Sequence, residues 1–262
     1  AQITVYGEYL EKYPPAFEVK IKENSSWSCA HGVERWRSDC GCCIGGHPWK
    51  QAWRKPLREA MDWLRDRLSN TYQSFMSDVC NDPWTVRDAY IEVVLDRSER
   101  TVERFLKTHL KRTVSREEGV AVLKALEMQR NAMFMFTSCG WFFDEVSGIE
   151  TVQILQYAAR AIQLAGEISG KDLEKEFLER LEPAESNIAE YKTAREIYAR
   201  FVKPRVIGIL NVGAHFAISS LFQAYPESFK AYCYCVDIKD RRLHEIGKQK
   251  LIVGSAAIRS VI

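Results

Sequence analysis

Residues 148–166 constrain the fold more than any other stretch. Ile149, Val152, Leu155, Ala159 and Ile162 recur at spacings of three and four, and Ile154, Ala158, Ala161 and Ala165 widen that face. A helix apolar around most of its girth must be buried, so other elements have to surround it. A stripe of Gln153, Gln156, Arg160 and Gln163 interrupts the apolar surface. Buried amides and a guanidinium need partners, either loop carbonyls of the same chain or hydroxyls of a ligand.

The rest of the chain supplies the surrounding helices. Leu57, Met61, Leu64, Leu68, Tyr72, Phe75 and Val79 share one face after a first-turn Pro56, with Arg58, Glu59, Asp62, Arg65 and Asp66 opposite. Asp82 and Pro83 read as N-cap and first helical residue, with helices expected at 84–95 and 98–110. Ser115 and Glu118 form a capping-box pair for a helix through residue 136. Further helices are expected at 4–13, 171–181 and 186–202, and residues 17–22 read as extended. A last, apolar helix at 204–222 is expected to be buried, because it is short for a membrane span. After Pro226 the character changes. Residues 229–238 and 251–262 are aromatic and β-branched and read as strands. The expected architecture is mainly α: a helical domain of about eight or nine helices over 1–225, and the start of an antiparallel β segment over 226–262. The first residue is not Met and the last lie in a strand-like run, which points to a fragment of a longer protein.

With 37 basic and 35 acidic residues among 262, no strong field for nucleic acid or membrane is implied. No signal peptide is evident. The eight cysteines do not follow a disulfide framework: Cys42 and Cys43 are adjacent, and Cys40/Cys42 and Cys233/Cys235 are one residue apart. Reduced thiols in a cytoplasmic protein are expected.

The stretch SWSCAHGVERWRSDCGCCIGGHPWKQAW, within a loop spanning 24–54, has no helical or strand period. It concentrates four of the seven tryptophans, four of the eight cysteines and two of the five histidines. Long loops in compact domains are functional or disordered, and this composition argues for order. A second aromatic loop, TSCGWFFD at 137–144, separates two helices. Cys29, His31, Cys40, Cys42, Cys43 and His47 are all capable of binding zinc. The usual C-x₂₋₄-C spacing is absent, so neither a metal nor any other cofactor is expected; a bound ion would draw its ligands from those six. A cysteine nucleophile beside His31 or His47 lacks an orienting motif. No phosphate loop, dinucleotide fingerprint or serine elbow is present. Asp39, Asp144 and Glu145 are the carboxylates closest to the aromatic loops. Loop aromatics with amides and guanidinium groups nearby suit sugar rings, whose apolar faces stack and whose hydroxyls need polar partners.

The segments SWSCAHGVERWRSDCGCCIGG, DPWTVRDAYIEVVLDRS, EMQRNAMFMFTSCGWFFDEVSGIETVQILQYAARAIQLA and VKPRVIGILNVGAHFAISSLF resemble a bacterial domain of unknown function. That domain lies C-terminal to the catalytic barrel of glycoside hydrolase family 57-like proteins. A looser likeness to family 57 amylases and glucanotransferases matches His31-Gly32, Gly45-Gly46 and Leu57-Arg58 to a loop meeting the active-site face. This chain inserts the cysteine-rich piece between the two glycine elements. Residues 138–142 are similar to a Ser-Ser-Asp-Trp-Pro-Phe loop of family 57 branching enzymes, with Gly140 at the Asp and Phe142 at the Pro, so no catalytic role carries over.

The resemblance implies a C-terminal helical domain of an α-glucan-active enzyme, forming one wall of the glycan cleft without the catalytic carboxylates. Its partners would be an N-terminal (β/α) barrel of the same polypeptide and an oligo- or polysaccharide, with no nucleic acid and no membrane. The expected substrate-binding residues are His31, Trp36, Trp49, Trp141, Gln153, Gln156 and Arg160, on two loops that converge. The alternative is a metal- or thiol-stabilised interaction domain that touches no substrate; an autonomous enzyme has the least support.

Overall fold

The computed structural model describes residues 3–231 and 234–260. In chain order its helices are α1 (Tyr6–Lys12), α2 (Arg54–Met76), α3 (Pro83–Ala89), α4 (Ile91–Leu95), α5 (Glu99–His109), α6 (Arg116–Phe134) and α7 (Cys139–Phe142). Then come α8 (Ile149–Ser169), α9 (Glu174–Leu181), α10 (Ala194–Ile197) and α11 (Ile209–Ser219). Strands β1 (Ser228–Ala231), β2 (Tyr234–Ile246) and β3 (Gln249–Ser260) form one antiparallel sheet in that order. The architecture is the mainly α fold with a C-terminal β segment that the sequence implies.

Helix α8 is the central element. Val152, Ile154, Leu155, Ala158, Ala159, Ala161, Ile162, Leu164 and Ala165 are all buried. It ends at Gly170, whose φ of +69° is the left-handed cap that glycine adopts without a Cβ clash. Helices α2 and α6 pack on α8 and on each other, α9 packs on α2, and α7 packs on α8. On α2 Leu57, Met61, Leu64, Leu68 and Tyr72 are buried as expected; at its end Met76 is buried, Phe75 only half-buried, and Val79 lies past the helix. The Asp82 carboxylate accepts from the Trp84 and Thr85 N–H groups, and the Ser115–Glu118 capping box is formed.

Several local expectations are corrected. The helix expected at 84–95 breaks at Tyr90, whose N–H bonds the Arg87 carbonyl three residues back. Its ring packs on Phe105 and its hydroxyl donates to Glu127, so a tertiary contact sets the bend. Residues 186–193 are not helical, because Ser186 and Asn187 bond to Glu145 and the backbone pairs Glu185 with Thr193. Residues 17–22 join no strand and are exposed. Finally, α11 is not buried. Val212 packs with Tyr234 and Val236 in a separate small core, while Ile209, Leu210 and Ile218 face outward. Among the described residues no single helix is long and apolar enough to cross a membrane. The single strand expected at 229–238 is instead two, β1 and β2, which pair antiparallel, and β2 continues to the turn at Gly247 (φ +60°). Residues 232–233 and 261–262 of the expected strands lie outside the described residues.

A buried ionic knot ties α3–α5 to α6. The Glu127 carboxylate accepts from Tyr90 Oη (2.8 Å), Arg97 (2.6 Å) and Arg130 (3.2 Å). Burial alone would raise its pKa; the bonds from Arg97 and Tyr90 and the charges of Arg97 and Arg130 outweigh this and hold it below the ordinary range. A depressed carboxylate pKa contributes stability above the unfolded value that is lost as pH falls through the folded value. Glu127→Gln is therefore expected to cost about 2 kcal/mol at neutral pH, the scale of charged hydrogen bonds. The deficit should shrink as pH falls below the ordinary carboxylate range. Urea denaturation of both proteins across pH 3–7 checks this; a deficit independent of pH would count against a charge-based knot.

Candidate functional site

The two aromatic loops meet at the start of α2. Trp36 Nε1 donates to the Ser138 carbonyl at 2.8 Å. The Ile44 and Gly45 N–H groups donate to the Asp144 carboxylate at 2.9 and 2.6 Å. Trp53 Nε1 reaches the Asp144 carbonyl at 3.3 Å. Beneath this junction lies Arg54, the first residue of α2, 0% exposed. It donates to the carbonyls of Cys42 (3.1 Å), Phe142 (3.3 Å) and Phe143 (3.1 Å), and its Nη2 lies 3.9 Å from Asp144. Burial lowers its pKa, and the nearby charges of Cys40 and Asp144 partly offset that. One helix terminus therefore fixes both loops by satisfying carbonyls that would otherwise be orphaned.

The carboxylates singled out in the sequence are committed to this scaffold. Asp144 and Glu145 are buried. Glu145 accepts from Ser186 Oγ (2.5 Å), Asn187 N (2.9 Å) and Asn187 Nδ2 (3.0 Å). Asp39 is exposed and turns back on the Gly41 N–H.

The expected sugar-contact residues separate. Trp36 and Trp141 are linked through Arg58, which donates to the Trp36 carbonyl and lies 5.8 Å from the Trp141 ring centre. Trp141, however, is 1% exposed and packs parallel to Phe136, so it offers no free ring face. Half-buried Trp49 stacks on His47 at 4.2 Å. Gln153 lines a groove of about 310 Å³ with Thr137, Cys139, Gly140 and Tyr157. Gln156 is half-buried. Arg160 does not sit beside the loops. It is about 17 Å along the helix from Ile149 at 1.5 Å per residue, and it donates to Gln163, which donates to the Ile207 carbonyl. That end of the stripe satisfies the chain's own groups. Missing from the expectation is Trp27, 92% exposed and tilted against Phe142 at 6.0 Å, with Phe143 also exposed. Its polar setting, SSWS, was the available signal, since no neighbour in the sequence could cover the ring.

Four of the six candidate ligands converge. Cys29 Sγ lies 3.8 Å from Cys40 Sγ and 3.8 Å from Cys42 Sγ, and Cys42 Sγ lies 3.6 Å from His31 Nδ1. All four ligand atoms fall within 4.8 Å of one another. Cys43 is exposed and stands outside the group, as does His47 on Trp49. The spacing objection fails because Gly41 takes a φ of +74°, which lets Cys40-Gly41-Cys42 turn as a knuckle. Gly32, at φ +75°, permits the turn after His31; a Cβ there would run into the Asn24 carbonyl. Burial would raise the Cys29 thiol, but N–H donors at Arg35 and His31 and the Cys42 and Cys40 thiols bring it down to about 7. Cys40 moves up through burial and its thiol neighbours.

A mainly helical domain whose long N-terminal loop is clamped onto a helix terminus defines the class. The family description "Domain of unknown function (DUF3536)" matches residues 49–262, and the chain belongs to that family. The match begins after the thiol cluster and includes Arg54, Phe142 and Asp144, on which the cluster's loop rests. Comparisons with curated proteins and with solved structures give no significant match.

Proposed function

We propose that this chain is the helical C-terminal domain of a glycoside hydrolase family 57-like, α-glucan-active bacterial enzyme. In this reading the loop junction forms one wall of the glycan cleft beside an N-terminal (β/α) barrel of the same polypeptide. The observation that carries the reading is the exposed aromatic shelf of Trp27 and Phe143 over a rigidly tied junction. Exposed rings on a fixed base suit stacking against sugar faces. Of the expected contacts, Trp36 is tied to the second loop at Ser138, and Gln153 lines a groove beside Cys139 and Gly140 of that loop. Asp144 and Glu145 are spent on backbone and side-chain donors, in keeping with catalytic carboxylates supplied by the barrel.

Trp27→Ala is the direct test. Loss of one exposed stacking ring is worth about 1 kcal/mol, so binding of maltooligosaccharides should weaken roughly fivefold with the melting temperature unchanged. Titration calorimetry with a maltooligosaccharide series, on the protein with its upstream barrel where one is encoded in frame, provides the readout. Unchanged affinity in Trp27→Ala, or no binding by the parent, removes the glycan wall and leaves the interaction-domain reading.

A further inference from the structure

We propose that Cys29, His31, Cys40 and Cys42 hold one structural zinc ion that clamps the long N-terminal loop onto the helical body. The first argument is metric. Zinc binds thiolate sulfur at about 2.3 Å and imidazole nitrogen at about 2.0–2.1 Å in tetrahedral sites, which requires S···S edges of about 3.8 Å and S···N edges of about 3.6 Å. Three of the six edges are 3.8, 3.8 and 3.6 Å, and the remaining three lie within 4.8 Å. A disulfide would demand about 2.05 Å between sulfurs, and plain thiol packing has no reason to add an imidazole nitrogen at the fourth corner.

The second argument is charge. Arg35 and Arg54 are both buried, and both have a buried Nε without a hydrogen-bond partner. Arg54 lies 3.9 Å from Asp144, whereas Arg35 forms no salt bridge among the described residues and rests over the Phe142 ring at 4.6 Å. Arg35 is thus a buried cation with no carboxylate in contact among the described residues, a costly arrangement. A divalent ion with three thiolates and a neutral imidazole carries one negative charge, which would face that cation.

The third argument concerns the loop itself. Residues 26–48 contain no α-helix or strand, only a single 3-10 turn at Glu34–Trp36. Cys29 and Arg35 are the only residues in that span buried in the described structure. A four-ligand, closed site supplies the cross-link that so small a core does not, and a closed ligand set marks a structural ion rather than a catalytic one. Binding moves no electrons; the thiol protons leave to solvent as the sulfurs ligate the ion.

The test is elemental analysis of the 262-residue chain purified in reductant without chelator. The expected result is close to one zinc per chain, retained in Cys43→Ser and His47→Ala and reduced at least tenfold in Cys29→Ser and Cys42→Ser. Should a cysteine variant fail to fold, parent protein stripped by chelator is titrated with cobalt(II). Tetrahedral d–d bands with thiolate charge transfer, saturating at one equivalent, support the site. Absence of zinc together with absence of the cobalt spectrum overturns it. So does zinc retained in folded Cys42→Ser, or an intact mass two hydrogens light that maps to Cys29. Stoichiometric iron in place of zinc overturns the choice of metal.

Discussion

Arg54→Met is expected to lower stability by about 3–5 kcal/mol, the range for removing one partner of a buried ionic group. The side chain is fully enclosed and its guanidinium serves the carbonyls of Cys42, Phe142 and Phe143 as well as the Asp144 carboxylate. Methionine fills much of the same volume but supplies no donor. Three carbonyls then lose a bond, and Asp144 keeps only the N–H groups of Ile44 and Gly45. Arg54→Lys should recover only part of the loss, because a single ammonium cannot reach carbonyls on two separate loops as a planar fork does. The measurement is the urea midpoint, accompanied by limited proteolysis of residues 24–48. A loss under about 1 kcal/mol, with the loop still protected, would mean that water satisfies those carbonyls and that Arg54 is not the clamp.

Arg54 also shows why the fold was easier to read from the sequence than the site. Helical elements follow from local rules. The capping box at Ser115–Glu118, the Asp82–Pro83 start and the apolar faces of α2 and α8 depend on residues within a few positions of one another. The misread elements are those in which a distant residue wins. Glu145 takes Ser186 and Asn187 out of a helix, and Glu127 draws Tyr90 into the bend between α3 and α4. The same holds for α11, whose apolar residues exceed what the small β sheet covers.

The convergence of four thiol-loop ligands was hidden for a different reason. Cys40 and Cys42 both reach Cys29 in a turn that uses the left-handed Gly41 between them. Spacing rules built on C-x₂₋₄-C leave out that conformation. The convergence of the two loops was legible from their shared aromatic and glycine content. The division of labour among their tryptophans was not, since Trp27, Trp36 and Trp141 differ only in what covers them.

That division gives the second large effect. Trp141→Ala is expected to cost about 3–5 kcal/mol, the usual range for truncating a buried aromatic. The ring is 1% exposed, lies parallel to Phe136 with centroids 6.2 Å apart, and has the Arg58 guanidinium 5.8 Å from its centre. The helix turn that carries it cannot shift to refill the space, because a Cβ on Gly140 would already sit within 3 Å of the Ile154 side chain. Thr151 further ties that turn by donating to the Gly140 carbonyl at 2.7 Å. Trp141→Phe should lose much less. It keeps most of the ring volume and removes the indole N–H, which is buried without a partner and so already carries a desolvation cost. Thermal denaturation of the alanine, phenylalanine and Trp27→Ala variants separates the roles. Trp141→Ala should melt roughly 10 °C lower, with any change in oligosaccharide binding appearing only as the fold is lost. Trp27→Ala should melt with the parent. A Trp141→Ala protein that keeps its melting temperature but loses binding would instead put this ring on the glycan face, which its burial against Phe136 and Arg58 argues against.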